Sequence, residues 1–222
     1  LILQMFLSQN HPMSRSFETA FEYVKFLTEL PITKGEIICT SFLPSSLFQK
    51  DILQHFYSKG VITTNNHEIV ELLWNYGRQI RRAISDGTVS LYIEKRALRR
   101  FCISGLVHDA HTDYEVGFST RKIVLETLKS ISTNGNVAII EGISPYIFRL
   151  NPQMGVLIDV SNNTTDQIVQ GLWINDNKII KSFSKEARRL LMSTPADGSG
   201  HGLQKKLKQG IADFQSGYPV EW

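Results

Sequence analysis

Apolar residues recur at helical spacing from Phe17 through Ala20, Phe21, Val24 and Leu27 to Leu30, with Ser16 ahead of the run and Pro31 behind it. That pattern predicts an amphipathic helix capped by Ser16 and stopped by the proline. After the turn PITKG, the run EIICTSF is short and β-rich and ends at Pro44, and SLFQKDILQHFYSKG reads as a helix closed by Gly60. A second short apolar run, VITT, leads into a helix from about Asn66 to Ser85, which the turn SDG closes before the strand-like VSLYIE. Strands that alternate with helices in this way pair most economically in parallel.

The texture then changes. KRALRRFCISG reads as a short basic helix or an irregular segment, and STRKIVLETLKSIS as a helix that can bury Ile123, Leu125, Leu128 and Ile131. Beyond it come five short apolar runs, NVAIIEGI, YIFRL, MGVLIDV, GLWIND and KIIKSF, separated by turn residues such as Asn134-Gly135 and Asn151-Pro152. Such spacing predicts a β-meander. FSKEARRLLMS reads as the helix that closes the compact part, TPADGSGHG as a flexible linker, and QKKLKQGIADFQSGYPVEW as a tail able to dock as a helix on the protein or on a partner. The expected fold class is α/β: a mixed sheet with parallel βα units in the first half and a β-meander in the second, flanked by helices. The expected division is 1–15 as an N-terminal helical segment or linker from a preceding domain, 16–194 as an α/β ligand-sensing domain, and 195–222 as flexible linker and tail.

Composition narrows the class further. A chain of 222 residues can bury a core without staples. With 42% hydrophobic and 20% charged residues it resembles ordinary globular chains, and no stretch approaches the roughly 18–20 apolar residues of a membrane span. LILQMFLSQ at the start lacks the basic region and the cleavage pattern of a signal peptide and reads as helix. The absence of an initiator methionine before Leu1 suggests a longer protein. Cys39 and Cys102 sit in apolar runs, as small buried hydrophobes do, with no disulfide or zinc spacing, which points to a cytoplasmic address.

The stretch GLVHDAHTDYEVGF, residues 105–118, gathers His108, Asp109, His111, Asp113 and Glu115. His108, His111 and Asp113 are the candidate metal ligands, yet neighbouring side chains on a strand or helix diverge, and a catalytic metal needs three or more converging donors. A polar connection is the preferred reading of this stretch. Arginines form two groups: Arg78, Arg81 and Arg82 on one helix, and Arg96, Arg99 and Arg100 beside Lys95 after VSLYIE. Spacings of three and four bring each group to one helix face, and guanidinium forks suit phosphate or carboxylate. Solvated faces are the bland alternative. Arg96, Arg99, Arg100, Arg121 and Tyr92 are the candidate ligand-binding residues for a small anionic ligand, in a pocket between sheet and helices. No GxSxG elbow, Walker A loop or GxGxxG turn is present, so no catalytic residue is named and no cofactor is implied.

The order of SFETAFEYVKFLTEL, EIICTSFLPSSLF, VSLYIEKRALRRF and GVLIDV followed by GLWINDNKIIKSFSKEARRLL resembles the sensor half of bacterial transcription regulators, in which a phospholipase-D-like α/β module follows a helix-turn-helix. The resemblance spans about residues 16–192 and rests on element order. Active members of that superfamily carry HxKxxxxD, and no histidine of this chain has a lysine two residues on. The resemblance therefore implies a catalytically inactive sensor domain, homodimeric, that controls the binding of DNA by a domain upstream. Two alternatives stand beside it: a metal-dependent phosphohydrolase or nuclease-like enzyme using residues 108–113 with Arg96, Arg99 or Arg100 on the phosphate, and a protein-interaction module of a mobile-element or defence system.

Overall fold

A computed structural model describes residues 14–17, 19–41, 43–59, 66–108, 113–141, 147–159 and 171–216. The first half alternates strand and helix: β1 (Ser14–Phe17), α1 (Ala20–Glu29), β2 (Glu36–Thr40), a 3-10 turn (Ser45–Leu47), α2 (Lys50–Lys59), α3 (Asn66–Ser85), β3 (Val89–Glu94) and α4 (Lys95–Ser104). A small hairpin, β4 (Leu106–His108) and β5 (Asp113–Glu115), precedes α5 (Phe118–Ile131) and β6 (Val137–Ile140). Then follow β7 (Ile147–Asn151), β8 (Gly155–Asp159), β9 (Gly171–Ile174), α6 (Asn177–Met192) and α7 (Gly200–Gln215).

Seven strands form one mixed sheet in the order β1-β9-β8-β7-β2-β3-β6. β2, β3 and β6 run parallel, while β7, β8, β9 and β1 extend the β2 edge as antiparallel neighbours. The expected α/β class with a parallel half and a meander half is therefore what the chain adopts. Two details differ. NVAIIEGI, expected in the meander, supplies β6 and pairs in parallel with β3 at the far edge. KIIKSF, expected as a strand, lies inside α6, because Asp176 caps the helix by accepting from the N–H of Lys178 at 2.8 Å and of Ile179 at 3.0 Å. Ile180, Ala187 and Leu190 then fall on one buried helical face.

The N-terminal helix also begins later than its apolar spacing predicts. Thr19 is its cap, accepting from the Glu22 N–H at 3.2 Å, and α1 starts at Ala20. Ser16 and Phe17 belong to β1, where Phe17 opposes Gly171 of β9 and is buried against Leu30 and Leu157. An aromatic residue at the start of a helical pattern fits equally well on the buried side of an edge strand, and here the pairing with β9 decides. Ser14 and Arg15, the last two residues of the expected N-terminal segment 1–15, lie in β1, and the first thirteen residues of that segment are beyond the described part. The VITT run and Gly60 likewise lie outside the described residues.

The sheet buries both faces. Ile38, Leu91, Ile93, Val137 and Ile139 point to one side, where residues of α1, α3, α4, α5 and α7 complete the larger core. Cys39, Tyr92, Ala138, Ile140, Phe148 and Ile158 point to the other, where α6 packs through Ile180, Ala187 and Leu190. Residues read as linker and tail contribute α7. Leu203, Leu207 and Phe214 are buried in the larger core, Gln204 Nε2 donates to the Lys129 carbonyl at 2.7 Å, and Phe214 meets Phe118 edge to face with ring centres 4.7 Å apart. Before the helix, Ser199 bridges to Ala138, and the Ile139 N–H donates to the Gly198 carbonyl at 2.7 Å.

A buried ion pair fastens α1 to the sheet. Arg149 on β7 is 4% exposed, and its Nε donates to Glu36 on β2, which is fully buried. Its remaining donors reach the carbonyls of Leu27 at 2.9 Å and of Leu30 and Pro31 at 3.4 Å, where α1 ends. Tyr76 of α3 lies with its ring 5.4 Å below the guanidinium. The arginine thus caps a helix C-terminus from within the core.

Candidate functional site

The carboxyl ends of β2, β3 and β6 form one edge of the sheet, the place where α/β sheets commonly carry ligands. Thr40 ends β2, Glu94 ends β3 and is in register with Ile140 at the end of β6. The antiparallel strands add Ile147 and Asp159, which face each other at this same edge. α4 begins at Lys95 with no intervening loop, so Glu94 is both the last strand residue and the N-cap of the helix, and its side chain makes no capping hydrogen bond.

Glu94 is the unusual residue here. It is only 8% exposed and has no hydrogen bond to another described residue. Burial raises its pKa above the ordinary carboxylate range, and the charges of Arg96 and Arg100 pull the other way without cancelling that effect. Strand alternation places it on the same face as Tyr92 and Ser90, with Cys39 on the neighbouring strand. Burial pushes the Cys39 thiol up to about 12, with Glu186 and Glu94 adding to the effect, so it is no thiolate nucleophile near neutral pH. At the end of β6, Lys95 Nζ pairs with Glu141 at 2.7 Å, the Glu141 N–H donates to the Ser193 carbonyl at 3.4 Å, and the neighbouring Thr194 hydroxyl is buried without a partner among the described residues.

The five candidate ligand residues are not brought into one cleft. Tyr92 lies on the α6 side of the sheet, 7% exposed. Arg96, Arg99 and Arg100 are exposed on the outer face of α4, whose inner face buries Ala97, Leu98, Phe101 and Cys102 in the core on the opposite side of the sheet. No ion pair joins any of the three to a described acid. Arg121 is committed elsewhere: its Nε donates to the Val116 carbonyl at 3.1 Å, and its Nη1 to the carbonyls of Cys102 at 3.2 Å and Ile103 at 3.1 Å, tying the end of α4 to the start of α5. In the other arginine group, Arg81 donates to the Ser46 carbonyl and stacks 5.1 Å over Trp74, while Arg78 and Arg82 are exposed.

His108 and Asp113 face each other as backbone partners of the β4–β5 hairpin, while their side chains, and His111 entirely, lie outside the described residues. Among the described residues no group of three or more His, Cys, Asp or Glu is placed to hold a metal ion, and no helix is long and apolar enough to cross a membrane. Sequence reasoning passed over Glu94, whose signal was an acid closing the otherwise apolar alternation of VSLYIE. It also passed over the buried Glu36 and Arg149, each set in a β-rich run.

No protein-family model matches the chain, and no curated protein matches it. Among solved structures it is similar, at a TM-score of 0.40 and 11% identity, to TrmBL2, an archaeal chromatin protein whose structure shows a novel mode of DNA binding. The match covers 87% of this chain and 58% of that one, so the chain spans less than two thirds of its length. A likeness of this size carries no weight in the functional reading below.

Proposed function

We propose that the chain is a ligand-binding regulatory domain whose small-molecule site is the carboxyl edge of β2, β3 and β6. The observation that carries this reading is Glu94, 8% exposed with no hydrogen bond to a described residue. Desolvation of this mostly covered carboxylate outweighs the pull of Arg96 and Arg100, a cost that an apolar residue at that position avoids, and such local losses concentrate at functional sites. A ligand with a hydroxyl or amine for Glu94 and an anionic group for Arg96, the nearest arginine in sequence, answers the desolvation of the one and the exposed charge of the other.

In the fuller form of this reading the chain is a catalytically inactive, phospholipase-D-like sensor. It acts as a cytoplasmic homodimer, and a ligand with different affinities for two domain geometries changes the DNA binding of a helix-turn-helix elsewhere in the protein. Thermal shift with paired compounds, sugar phosphates against the parent sugars, tests the site directly. The phosphorylated members raise the melting temperature of the wild type and leave Glu94→Gln and Arg96→Gln unmoved. Equal shifts in all three proteins remove the site from this edge. Turnover of a phosphorylated compound, lost in a His108→Ala/His111→Ala variant, replaces the sensor with the enzyme reading.

A further inference from the structure

The outer face of α4 has a composition that a solvated surface does not need. Arg96, Arg99, Arg100 and Ile103 fall at positions i, i+3, i+4 and i+7, so they share one stripe of the helix, about 10 Å long at 1.5 Å per residue. All four are exposed, none of the three arginines forms an ion pair with a described acid, and the one described acid whose charge they feel is Glu94, which acts on Arg96 and Arg100. Ile103, at 57% exposure, ends the stripe. Phe118 of α5, at 44%, belongs to the same junction: Arg121 donates to the Ile103 carbonyl at 3.1 Å and lies 5.8 Å from the centre of the Phe118 ring. The hydrogen bonds of Arg121 to Cys102, Ile103 and Val116, and the seat of Phe118 on the buried Phe214, hold both apolar side chains on a fixed base.

We infer that this stripe is a docking surface for an acidic segment of a protein partner, with one apolar side chain of that segment seated between Ile103 and Phe118 and its carboxylates on Arg99 and Arg100. This goes beyond the small-molecule site, which shares only Arg96 with the stripe and lies at the N-terminal end of the helix. Charge complementarity selects an anionic partner, since three neighbouring guanidiniums exceed the single charge of Glu94 and leave the stripe net positive until carboxylates or phosphates neutralise it. The apolar end selects a protein over nucleic acid. A phosphate backbone makes no use of an exposed isoleucine and phenylalanine, whereas arginine beside aromatic and aliphatic anchors is the composition of protein interface centres.

The test uses the full chain and three fluorescent probes in anisotropy titrations: a glutamate-rich helical peptide with a leucine at its centre, the same peptide with serine in place of the leucine, and a DNA duplex. The expected result is that the leucine peptide binds about tenfold or more tightly than the serine peptide, and that Ile103→Ser removes this difference while Arg99→Glu/Arg100→Glu abolishes binding of both. Phe118→Ser gives a second, independent loss of the leucine preference. Unchanged melting curves accompany the Ile103 and Arg99/Arg100 substitutions, whose side chains are exposed, whereas Phe118→Ser also loses its packing on Phe214 and melts lower. Equal affinity for both peptides overturns the inference, as does DNA binding that is tighter than either peptide and indifferent to Ile103→Ser, which assigns the stripe to a nucleic-acid backbone.

Discussion

Replacing Arg149 by methionine removes the charge from the centre of the network that joins β2, β7 and the end of α1, and keeps the length of the stem. Glu36 then remains fully buried without its partner, and the Leu27, Leu30 and Pro31 carbonyls lose their donor. Breaking one side of a buried ion pair costs about 3–5 kcal/mol. We take about 4 kcal/mol for Arg149→Met and a similar loss for Glu36→Leu. At about 2 cal/mol/K of unfolding entropy per residue, a chain of 222 residues loses about 9 °C of melting temperature for 4 kcal/mol. The double variant leaves no unpaired charge, so its cost falls to about 5 kcal/mol instead of the additive 8, a coupling of about 3 kcal/mol. Urea unfolding followed by circular dichroism measures all four corners of the cycle. A double variant as unstable as the sum of the singles, or an Arg149→Met loss under about 1 kcal/mol, refutes the claim that this pair holds α1 to the sheet.

Other expectations are independent of that network. Glu94→Gln removes a mostly covered charge whose desolvation outweighs the attraction of Arg96 and Arg100, so it stabilises the protein at neutral pH, a gain opposite to its predicted loss of ligand response. Because the folded pKa of Glu94 is raised, the wild type carries this cost above the unfolded carboxylate pKa and sheds it as pH falls, so the two proteins converge in acid; a constant difference across pH contradicts the assignment. Cys39 and Tyr76 are both pushed up to about 12 by burial, from ordinary values of 9.0 and 10.0, so the folded state holds protons that the unfolded state releases first. The contribution of these two groups is therefore flat below pH 9 and falls as pH rises toward 12, and Cys39→Ala removes the earlier part of the fall in melting curves recorded across that range. Gly105→Ala places a methyl group against the Val116 carbonyl and the Arg121 guanidinium at a left-handed position with φ of 73°, and calorimetry should register a loss of about 2 kcal/mol or more.

Local periodicity carried most of the secondary structure, and its failures share a cause. α3, β3, α5, β7 and β8 lie where apolar spacing puts them, because each runs long enough, or ends at a clear enough turn, for one period to win. Phe17 and the KIIKSF run were decided by partners distant in sequence: Phe17 by pairing with β9, and Ile180 by a helix that Asp176 starts two residues after β9 ends. β6 reads as a strand from VAII alone, but whether it joins the meander or the parallel half depends on its neighbour β3, which no local pattern encodes. The glycines and polar residues of TPADGSGHG resemble a linker, yet Gly198 and Ser199 hydrogen-bond to the edge of β6 and deliver α7 to the core.

The arginines show why the candidate site was harder to read than the fold. Arg149, Arg121 and Arg99 are alike by type in the sequence, each able to hold an anion. In the fold the first is sealed against a carboxylate and three carbonyls, the second spends its donors on three backbone carbonyls at the junction of α4 and α5, and only the third faces solvent with its fork open. An arginine binds a ligand only when tertiary structure leaves its donors unused, and that depends on which backbone ends come near it. Arg121 was therefore a reasonable ligand candidate by type, and what it does instead is set the base on which Ile103 and Phe118 stand. The three backbone bonds of Arg121 fix the end of α4 against the start of α5, so a partner that docks on the exposed arginines loses little entropy in ordering the surface it meets.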